Sequence, residues 1–398
     1  MREWLRRLAR DRFARRIKAA IERAGGPKDF VYDRESFMLK RDNNLANLGN
    51  VYDAYRLAKG SQRQVILDNF VSVFGSRANE ESLSFAEAKD KLVAVVRERL
   101  LIANAQTHWT TEMDTPAKNT MAHDPVSEWF AKCVVVDFPS HVTFVTETQL
   151  AEWKLTFDEV FDLGLARLRE CSAPKFRQEG RVFIGTWHDD YDSSRALLPE
   201  LFADLPLDGD PVVALPNRLT LLVTGSSDMD GLKAMLAKAE QIMRSEAKPQ
   251  NPAPLLLKDG QITDFYVEAA SPVFNDVQRN HYLAALATYQ EQKELLEKFY
   301  AKTGKDYFVA SLILSQRDRG EYVSHAVWSR NVATLLPVAD EVVFFDDQRP
   351  ESQRIIGRVP WARVQAILVD LMLDTKMFPA RFYVSKFPSA EQLKQLLA

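Results

Sequence analysis

Apolar runs of strand length alternate along the chain with segments whose apolar positions recur every three or four residues. Arg181 to Trp187 and Leu219 to Val223 are runs of the first kind and predict strands. Ser227 to Ser245 and Asn275 to Lys302 have the spacing of helices. Because the strands are continuous apolar runs, we expect both faces of their sheet to be covered. The pattern predicts an α/β fold, with α+β as the alternative.

The same pattern predicts three regions. Residues 1–125 are expected to be helix-rich with a short strand pair, residues 126–248 to form an α/β domain, and residues 253–398 to form a C-terminal α/β domain with a β-meander and helices. Within the first region, the spacing predicts strands at Asp29 to Asp33 and Ser36 to Arg41, and helices at Leu45 to Lys59, Gln62 to Phe74 and Phe85 to Ile102.

Residues typical of loops, turns and helix caps predict the connections between the helices and strands. The polar segment Gln106 to Asp124 predicts a loop, and the prolines within Glu246 to Pro254 predict a linker. Lys258-Asp259-Gly260 is typical of a hairpin turn. Ser389 with Gln392 three residues later predicts a capping box at the start of the last helix.

Composition narrows the class of protein. The chain has 398 residues, which exceeds the size of one hydrophobic core and favours two or three domains. Its 46% hydrophobic and 27% charged residues exclude a largely disordered, collagen-like or coiled-coil chain. The two cysteines have no metal-binding or redox spacing, and no apolar run is long enough for a membrane span or a signal core. We therefore expect a soluble, cytoplasmic protein.

Charge is distributed unevenly along the chain. Residues 1–50 contain 13 Lys and Arg against 7 Asp and Glu, whereas residues 101–350 contain 24 against 37. Most of the basic excess lies in a predicted amphipathic helix over Met1 to Gly25, with arginines that include Arg6, Arg7 and Arg10. Such a helix could bind a membrane surface or nucleic acid. The alternative, which we favour, is that its apolar stripe packs on the body of the protein.

The segment with the most potential catalytic and metal-binding side chains follows the strand predicted at 181–187. Loops at the ends of strands in open α/β sheets commonly bind ligands. Three carboxylates there are candidate ligands of a divalent metal, and an imidazole or carboxylate could act as base. The catalytic candidates are His188, Asp190 and Asp192, the metal candidates are Asp189, Asp190 and Asp192, and the ligand-binding candidates are Tyr191, Ser193, Ser194 and Arg195. The alternative is that Asp192 or Ser193 caps the next turn while the other carboxylates are solvated.

A second polar turn, Pro216-Asn217-Arg218, precedes the strand at 219–223, and Asn217 and Arg218 are further candidates for ligand binding. The alternative is a solvated turn. After that strand, the Gly-Ser turn at 225–227 leads into a helix, but Asp228 and Asp230 favour capping over phosphate binding. The chain contains no phosphate-binding lysine motif, three-glycine dinucleotide fingerprint, nucleophile elbow or zinc-binding His-Glu-x-x-His helix.

Several stretches resemble one protein family. The run Asp190-Tyr191-Asp192-Ser193-Ser194-Arg195 is similar to the Tyr-Asp-x-Ser-Arg segment of the YtpQ-like proteins, a bacterial family of unknown function. Phe30 to Leu39, Val134 to Leu168 and Pro211 to Thr224 also resemble that family. The resemblance covers roughly residues 1–267. It implies a cytosolic bacterial α/β protein and brings no activity, cofactor or catalytic residue with it.

Because no complete set of acid, base and nucleophile occurs, the leading hypothesis is a non-catalytic or regulatory protein that binds a small ligand or a protein partner. A metal-dependent hydrolase or transferase that uses the loop at 188–195 is the first alternative. Peripheral binding to a membrane or nucleic acid through the basic N-terminal helix is the second.

Overall fold

The fold is taken from a computed structural model, which describes residues 2–26, 28–34, 37–41, 44–76, 83–111, 120–138, 141–245, 249–304, 307–317 and 320–398. The chain divides into two compact units. The first consists of residues 1–93 and 134–164, and the second of residues 94–133 and 165–398. Helices and sheets are mixed in the chain, as the sequence predicted. The three predicted domain boundaries stay a prediction.

The N-terminal elements up to residue 111 are helices interrupted by short strands. In chain order they are α1 (Arg2–Arg23), β1 (Val31–Asp33), β2 (Met38–Arg41), β3 (Asn44–Asn47), α2 (Gly49–Leu57), α3 (Gln62–Ser76), α4 (Phe85–Ala88), β4 (Leu92–Glu98) and α5 (Arg99–Thr111). Strands β1, β2 and β3 form an antiparallel sheet. The predicted strand pair is therefore confirmed, but β3 takes the first residues of the helix predicted from Leu45, and α2 starts only at Gly49.

The apolar stripe of α1 is a core face. Phe13, Ala14, Ile17 and Ile21 are buried in one cluster with residues of β2, α2 and α3. Arg7 and Arg10 are exposed, and the guanidinium of Arg10 lies 5.0 Å from the centroid of the Phe37 ring. The side chain of Arg6 lies outside the described residues. Packing of the stripe agrees with the favoured interpretation, while binding to a membrane or nucleic acid stays a prediction.

The helix predicted over residues 85–102 is wrong in its middle, since only α4 and the first residues of α5, Arg99 to Ile102, are α-helical. Apart from the single turn of α4, this segment contains β4, whose residues Leu92 to Val96 are all buried. The spacing of Ala88, Leu92, Val95 and Val96 imitates a helix, but five consecutive apolar residues pack on both faces of a sheet strand. The helix occurs later, as α5, so the predicted loop from Gln106 is wrong up to Thr111. Residues 112–119 lie outside the described part.

The middle of the chain contains the largest sheet. Its elements are β5 (His123–Pro125), β6 (Phe130–Phe138), β7 (His141–Phe144), α6 (Glu147–Trp153), α7 (Phe157–Glu170), β8 (Phe176–Glu179), β9 (Val182–Gly185), β10 (Pro211–Asn217), β11 (Thr220–Gly225), α8 (Met229–Ser245), β12 (Pro249–Lys258), β13 (Gln261–Asp264) and α9 (Phe274–Thr303). Six of the strands form an antiparallel sheet in the order β13-β12-β10-β11-β9-β8.

Helix α8 covers one face of this sheet. Leu232, Met235, Leu236 and Ala239 recur at helical spacing and are buried against residues of β9, β10 and β11. Full burial of a side chain such as leucine contributes about 1.5 to 3 kcal/mol relative to exposure. Strands β10 and β11 are buried along nearly their whole length, which confirms that both faces of the sheet are covered.

The predicted linker is wrong from residue 249 onward, because β12 is an inner strand of this sheet. The pairing of β12 with β10 shifts register between Pro254 and Asn251, and such bulges accommodate prolines that cannot donate to the ladder. The turn from β12 to β13 contains Asp259 and Gly260, both with positive φ, so the predicted hairpin is confirmed.

The C-terminal strands form two further sheets with helices beside them. The elements are β14 (Phe308–Val309), β15 (Ile313–Gln316), β16 (Tyr322–Ser329), β17 (Thr334–Pro337), β18 (Glu341–Phe345), β19 (Ile355–Pro360), α10 (Trp361–Leu368), β20 (Leu373–Asp374), β21 (Arg381–Val384) and α11 (Ala390–Leu397). The sheet orders are β15-β16-β18-β19 and β14-β17-β21-β20. The predicted capping box of Ser389 and Gln392 starts α11. None of the helices in the described ranges is long and apolar enough to cross a membrane.

Candidate functional site

The loop after β9 is organised around the carboxylate of Asp192. This side chain is fully buried, and it accepts hydrogen bonds from the backbone N–H groups of Trp187, His188 and Asp189 at 3.1–3.3 Å. It thus caps the residues before it, whereas the expected alternative placed the cap on the following turn. His188 and Asp190 are exposed and have positive φ, so the loop reverses direction sharply around Asp192.

A buried arginine holds the same loop from the other side. Arg195 is fully buried, and its guanidinium donates to both oxygens of Asp189 at 2.7 and 2.6 Å. It also donates to the Ser172 hydroxyl and lies over the Trp187 ring, 4.5 Å from its centroid. Although burial acts in the opposite direction, the hydrogen bonds and charge of Arg195 lower the pKa of Asp189. Asp189 therefore serves as the counter-charge of a buried cation.

These contacts show which carboxylates of the loop already have partners within the protein. Asp189 and Asp192 are engaged by Arg195 and by the backbone. Among the residues that the structure describes, no group of three or more His, Cys, Asp or Glu side chains could hold a metal ion. The catalytic and metal-binding roles given to His188, Asp189, Asp190 and Asp192 stay predictions.

The next residues connect the loop to two arginines. Ser193 to Leu197 form a 3-10 helix in which Ser193 and Ser194 are buried. The Ser194 hydroxyl accepts a hydrogen bond from Arg97 Nη1 at 3.3 Å, while the Ser193 N–H donates to the backbone oxygen of Arg218, also at 3.3 Å. Tyr191 is half-buried, and its N–H donates to Asp189. Asn217 is buried and accepts from the Leu219 N–H, which holds the turn that presents Arg218.

The charged end of β4 was not predicted from the sequence. Burial and, secondarily, the charge of Arg218 lower the pKa of Arg97 to about 10. Burial and the nearby Glu291 carboxylate raise the pKa of Glu98 to about 8, against the effect of Arg218. Arg97, Glu98, Arg218 and Glu291 therefore form a cluster of ionisable groups. An Arg-Glu pair at the end of an otherwise apolar strand is the sequence signal that could have revealed it.

A cavity of about 380 Å³ lies elsewhere in the second unit, beside α9. Its aromatic lining consists of Trp129, Tyr266, Phe274, Tyr282 and Tyr289. Its polar lining consists of Glu128, Gln278, His281, Ser324 and Asp340. A concave, mostly apolar wall with a few polar groups is typical of sites for small molecules. We call this space the aromatic cavity.

Three polar atoms in residues of this wall are buried without a hydrogen-bond partner among the described residues. They are the donor Trp129 Nε1 and the acceptors Gln278 Oε1 and His281 Nδ1. The role of His281 follows from its other nitrogen, which lies 2.9 Å from the backbone oxygen of Phe265 and must carry the proton. Burial lowers the pKa of His281, so the ring is neutral at pH 7 and Nδ1 is an acceptor.

An exposed aromatic ring stands over His281. Tyr266 is 61% exposed, and its ring stacks on the imidazole with centroids 4.3 Å apart and planes 15° from parallel. The acidic residues differ in their engagement. Asp340 accepts from the Tyr282 hydroxyl at 2.6 Å and from the Ser324 N–H and hydroxyl at 2.7 Å. Among the described residues that line the cavity, Glu128 and Asp340 are acidic and none is Lys or Arg.

The aromatic cavity had no signal in the sequence. Its walls come from residues 128 to 340, which the topology brings together around α9. Each aromatic residue by itself fits an ordinary core position.

No family model, curated protein or solved structure matches this chain. Membership of the YtpQ-like family stays a prediction.

Proposed function

We propose that this protein binds a small aromatic molecule in the aromatic cavity, without catalysing a reaction on it. The observation that carries the proposal is the presence, in one cavity, of five aromatic side chains together with three residues whose buried polar atoms lack partners among the described residues. A buried polar atom without a hydrogen bond costs about 1 to 3 kcal/mol. A ligand that supplied those bonds would recover part of this cost on binding.

The chemistry of the wall defines the class of ligand. Gln278 Oε1 and His281 Nδ1 require hydrogen-bond donors. The carboxylates of Glu128 and Asp340, with no lining Lys or Arg in the described part of the wall, favour neutral or positively charged molecules over anions. Aromatic faces attract both planar rings and cations. The best match is a planar aromatic or heteroaromatic molecule with N–H donors.

Matched probes test this assignment. Tryptamine and tyramine carry an ammonium group, whereas indole-3-acetate and 4-hydroxyphenylacetate carry a carboxylate on the same rings. We expect calorimetric titration to show binding of the amines at least tenfold tighter than that of the acids. Equal affinity for amines and acids, or no binding of either amine at millimolar concentration, would contradict the proposal.

Variants in α9 test whether the amines bind in the aromatic cavity. Ala285 lines the aromatic cavity, so Ala285→Leu should fill part of it and weaken amine binding at least tenfold. Ala287→Leu is the matched control, because Ala287 is exposed on the same helix and does not line this cavity. If Ala285→Leu fails to fold, Gln278→Leu removes the acceptor at nearly constant size and should weaken amine binding by a factor of about 10.

A further inference from the structure

One surface of the first unit carries a row of exposed arginines. On α1, Arg12, Arg16 and Arg23 are all exposed. With 3.6 residues per turn, these positions lie within about 40° of one another around the helix axis, and they span about 16 Å along it. Arg63, which is exposed on α3, joins this row. We define the arginine surface as Arg12, Arg16, Arg23 and Arg63.

The ring of Tyr55 on α2 brings arginines of α1 and α3 together. Arg16 Nη1 donates to the Tyr55 hydroxyl at 2.6 Å, and the Arg16 guanidinium lies 5.4 Å from the ring centroid. The guanidinium of Arg63 lies 5.1 Å from the same centroid. Arg63 Nε also donates to the backbone oxygens of Tyr55 and Ala58 at 3.2 and 2.8 Å. Two cations from different helices are therefore held close to each other at fixed positions.

These cations have no counter-ions in the described part of the chain. None of the four arginines has a carboxylate oxygen within 4.0 Å of its guanidinium nitrogens there. Arg23 Nε donates to the backbone oxygen of Ala19 on its own helix. The terminal nitrogens of Arg63 have no hydrogen-bond partner within the described ranges. They are therefore available to an acceptor from another molecule.

The surrounding sequence has a positive excess in a chain whose net charge is negative. Residues 1–76 contain 16 Lys and Arg against 9 Asp and Glu, whereas residues 77–398 contain 36 against 46. Some of those acidic side chains already have partners. Asp11 accepts from Arg34 and Tyr32, and Asp33 forms an ion pair with Lys40 at 2.8 Å. A local basic surface of this kind attracts polyanions.

The packing of α1 argues against a membrane as the polyanion. A helix that binds at a bilayer surface inserts its apolar face among the lipids. In α1, Phe13, Ile17 and Ile21 are instead buried in the core of the first unit. The exposed arginine row therefore offers charge and hydrogen-bond donors. Such groups match phosphate oxygens, which accept from the planar fork of arginine.

We propose that the arginine surface binds the phosphate backbone of double-stranded nucleic acid without reading the base sequence. A duplex presents one negative charge per about 1.7 Å of its axis, so it supplies several phosphates along a row of this length. The aromatic ring at this surface, Tyr55, is half-buried beneath guanidinium groups, which leaves the bases without an open ring to stack on. The surface belongs to the first unit and the aromatic cavity to the second, so this proposal is independent of the proposed function.

The dependence of binding on salt tests the electrostatic mechanism. Fluorescence anisotropy measures binding of the full chain to a short, labelled DNA duplex of mixed sequence between about 50 and 200 mM sodium chloride. Four phosphate contacts predict a slope of about −3 to −4 in the plot of the logarithm of the association constant against the logarithm of the salt concentration. A dissociation constant above about 100 µM at the lowest salt concentration, or an affinity that does not change with salt, would overturn the proposal.

Two variants and a control test the residues. Arg12→Gln and Arg63→Gln should each weaken duplex binding several-fold and make the slope shallower by about 1. Arg12 has neither a hydrogen bond nor an ion pair among the described residues, so its replacement should leave the melting temperature unchanged. Arg167→Gln is the control, because it removes an exposed arginine from α7, and it should bind like the wild type. If the double variant of Arg12 and Arg63 kept the wild-type affinity and slope, the proposal would be wrong.

Vesicles distinguish the two polyanions. The same proteins are sedimented with vesicles of phosphatidylcholine and phosphatidylserine. We expect the wild type to bind the duplex more tightly than the vesicles. Binding to the vesicles that depends on Arg12 and Arg63, without binding to the duplex, would assign the arginine surface to a membrane and overturn the proposal.

Discussion

The loop after β9 and the aromatic cavity treat their polar groups in opposite ways. In the loop, Asp192 accepts three backbone hydrogen bonds and Arg195 is paired with Asp189. In the wall of the cavity, Trp129, Gln278 and His281 each contain a buried polar atom without a partner among the described residues. A dense cluster of polar and charged residues can therefore serve only to hold a loop in its conformation. Buried polar groups without hydrogen-bond partners among the described residues are the better candidates for contacts with a ligand.

The largest expected effect is the loss of the buried cation in the loop. Arg195→Met keeps most of the side-chain volume but leaves Asp189 and Ser172 without their partner. Breaking a buried ion pair from one side typically costs about 3 to 5 kcal/mol, and the partial exposure of Asp189 places this case near about 3 kcal/mol. Urea unfolding measures the change.

The control for this variant is an exposed ion pair. Arg177→Met removes the partner of Glu179, and both side chains of that pair are at least 50% exposed. We expect a much smaller loss than for Arg195→Met, because exposed ion pairs contribute little to stability. If Arg195→Met were no more destabilising than Arg177→Met, the loop would not be fastened by Arg195.

A smaller effect is expected at Asp192. Asp192→Ala leaves the N–H groups of Trp187, His188 and Asp189 without their acceptor, at a cost of about 2 kcal/mol in the free energy of unfolding. Asp192→Asn keeps one carbonyl oxygen and should lose less. The comparison of the two regions also requires that neither variant alters amine binding in the aromatic cavity. If Asp192→Asn lowered the amine affinity tenfold, the loop after β9 would take part in amine binding, and the distinction between the two regions would be wrong.

The cluster at the end of β4 should have a pH-dependent effect. Because the pKa of Glu98 is raised to about 8 in the folded state, its contribution to stability is fully present below about pH 4.5 and is lost as the pH rises through 8. Glu98→Gln resembles the protonated carboxyl at every pH. We expect the variant to gain roughly 2 to 3 kcal/mol relative to the wild type between pH 6 and pH 8.5, because the wild type loses about 1.4 kcal/mol per pH unit up to the folded-state pKa.

Unfolding curves at several pH values check this. Glu170→Gln is the control, since Glu170 is an exposed residue at the end of α7 and its replacement should leave the pH profile unchanged. A wild-type profile that Glu98→Gln does not alter would show that Glu98 ionises normally in the folded protein.

Local pattern predicted much of the fold because the relevant interactions are local. Helix α8, strand β11 and the Asp-Gly hairpin follow from periodicity and turn chemistry. Strand β4 was mistaken for a helix because its apolar residues include a helical spacing, and only its place in a sheet decides between the two. Strand β12 was mistaken for a linker because its prolines are tolerated only through a shift in the pairing with β10.

The candidate sites show the same difference between features set by local sequence and features set by contacts between distant residues. Proximity in the sequence drew attention to residues 188–195, but which groups are engaged depends on the contacts of Arg195 with Asp189 and Ser172. The turn at Asn217-Arg218 gave no indication of Arg97, which lies 121 positions earlier. The aromatic cavity could not be predicted at all, because its walls meet only after α9 has packed against strands of three sheets.

One calorimetric experiment tests the central claim most directly. Tryptamine is titrated into the wild type, into Ala285→Leu in the aromatic cavity and into Asp190→Asn in the loop after β9. The account predicts that Ala285→Leu weakens binding at least tenfold while Asp190→Asn binds like the wild type. Binding that survives Ala285→Leu and is lost in Asp190→Asn would place ligand recognition in the acidic loop and contradict the account.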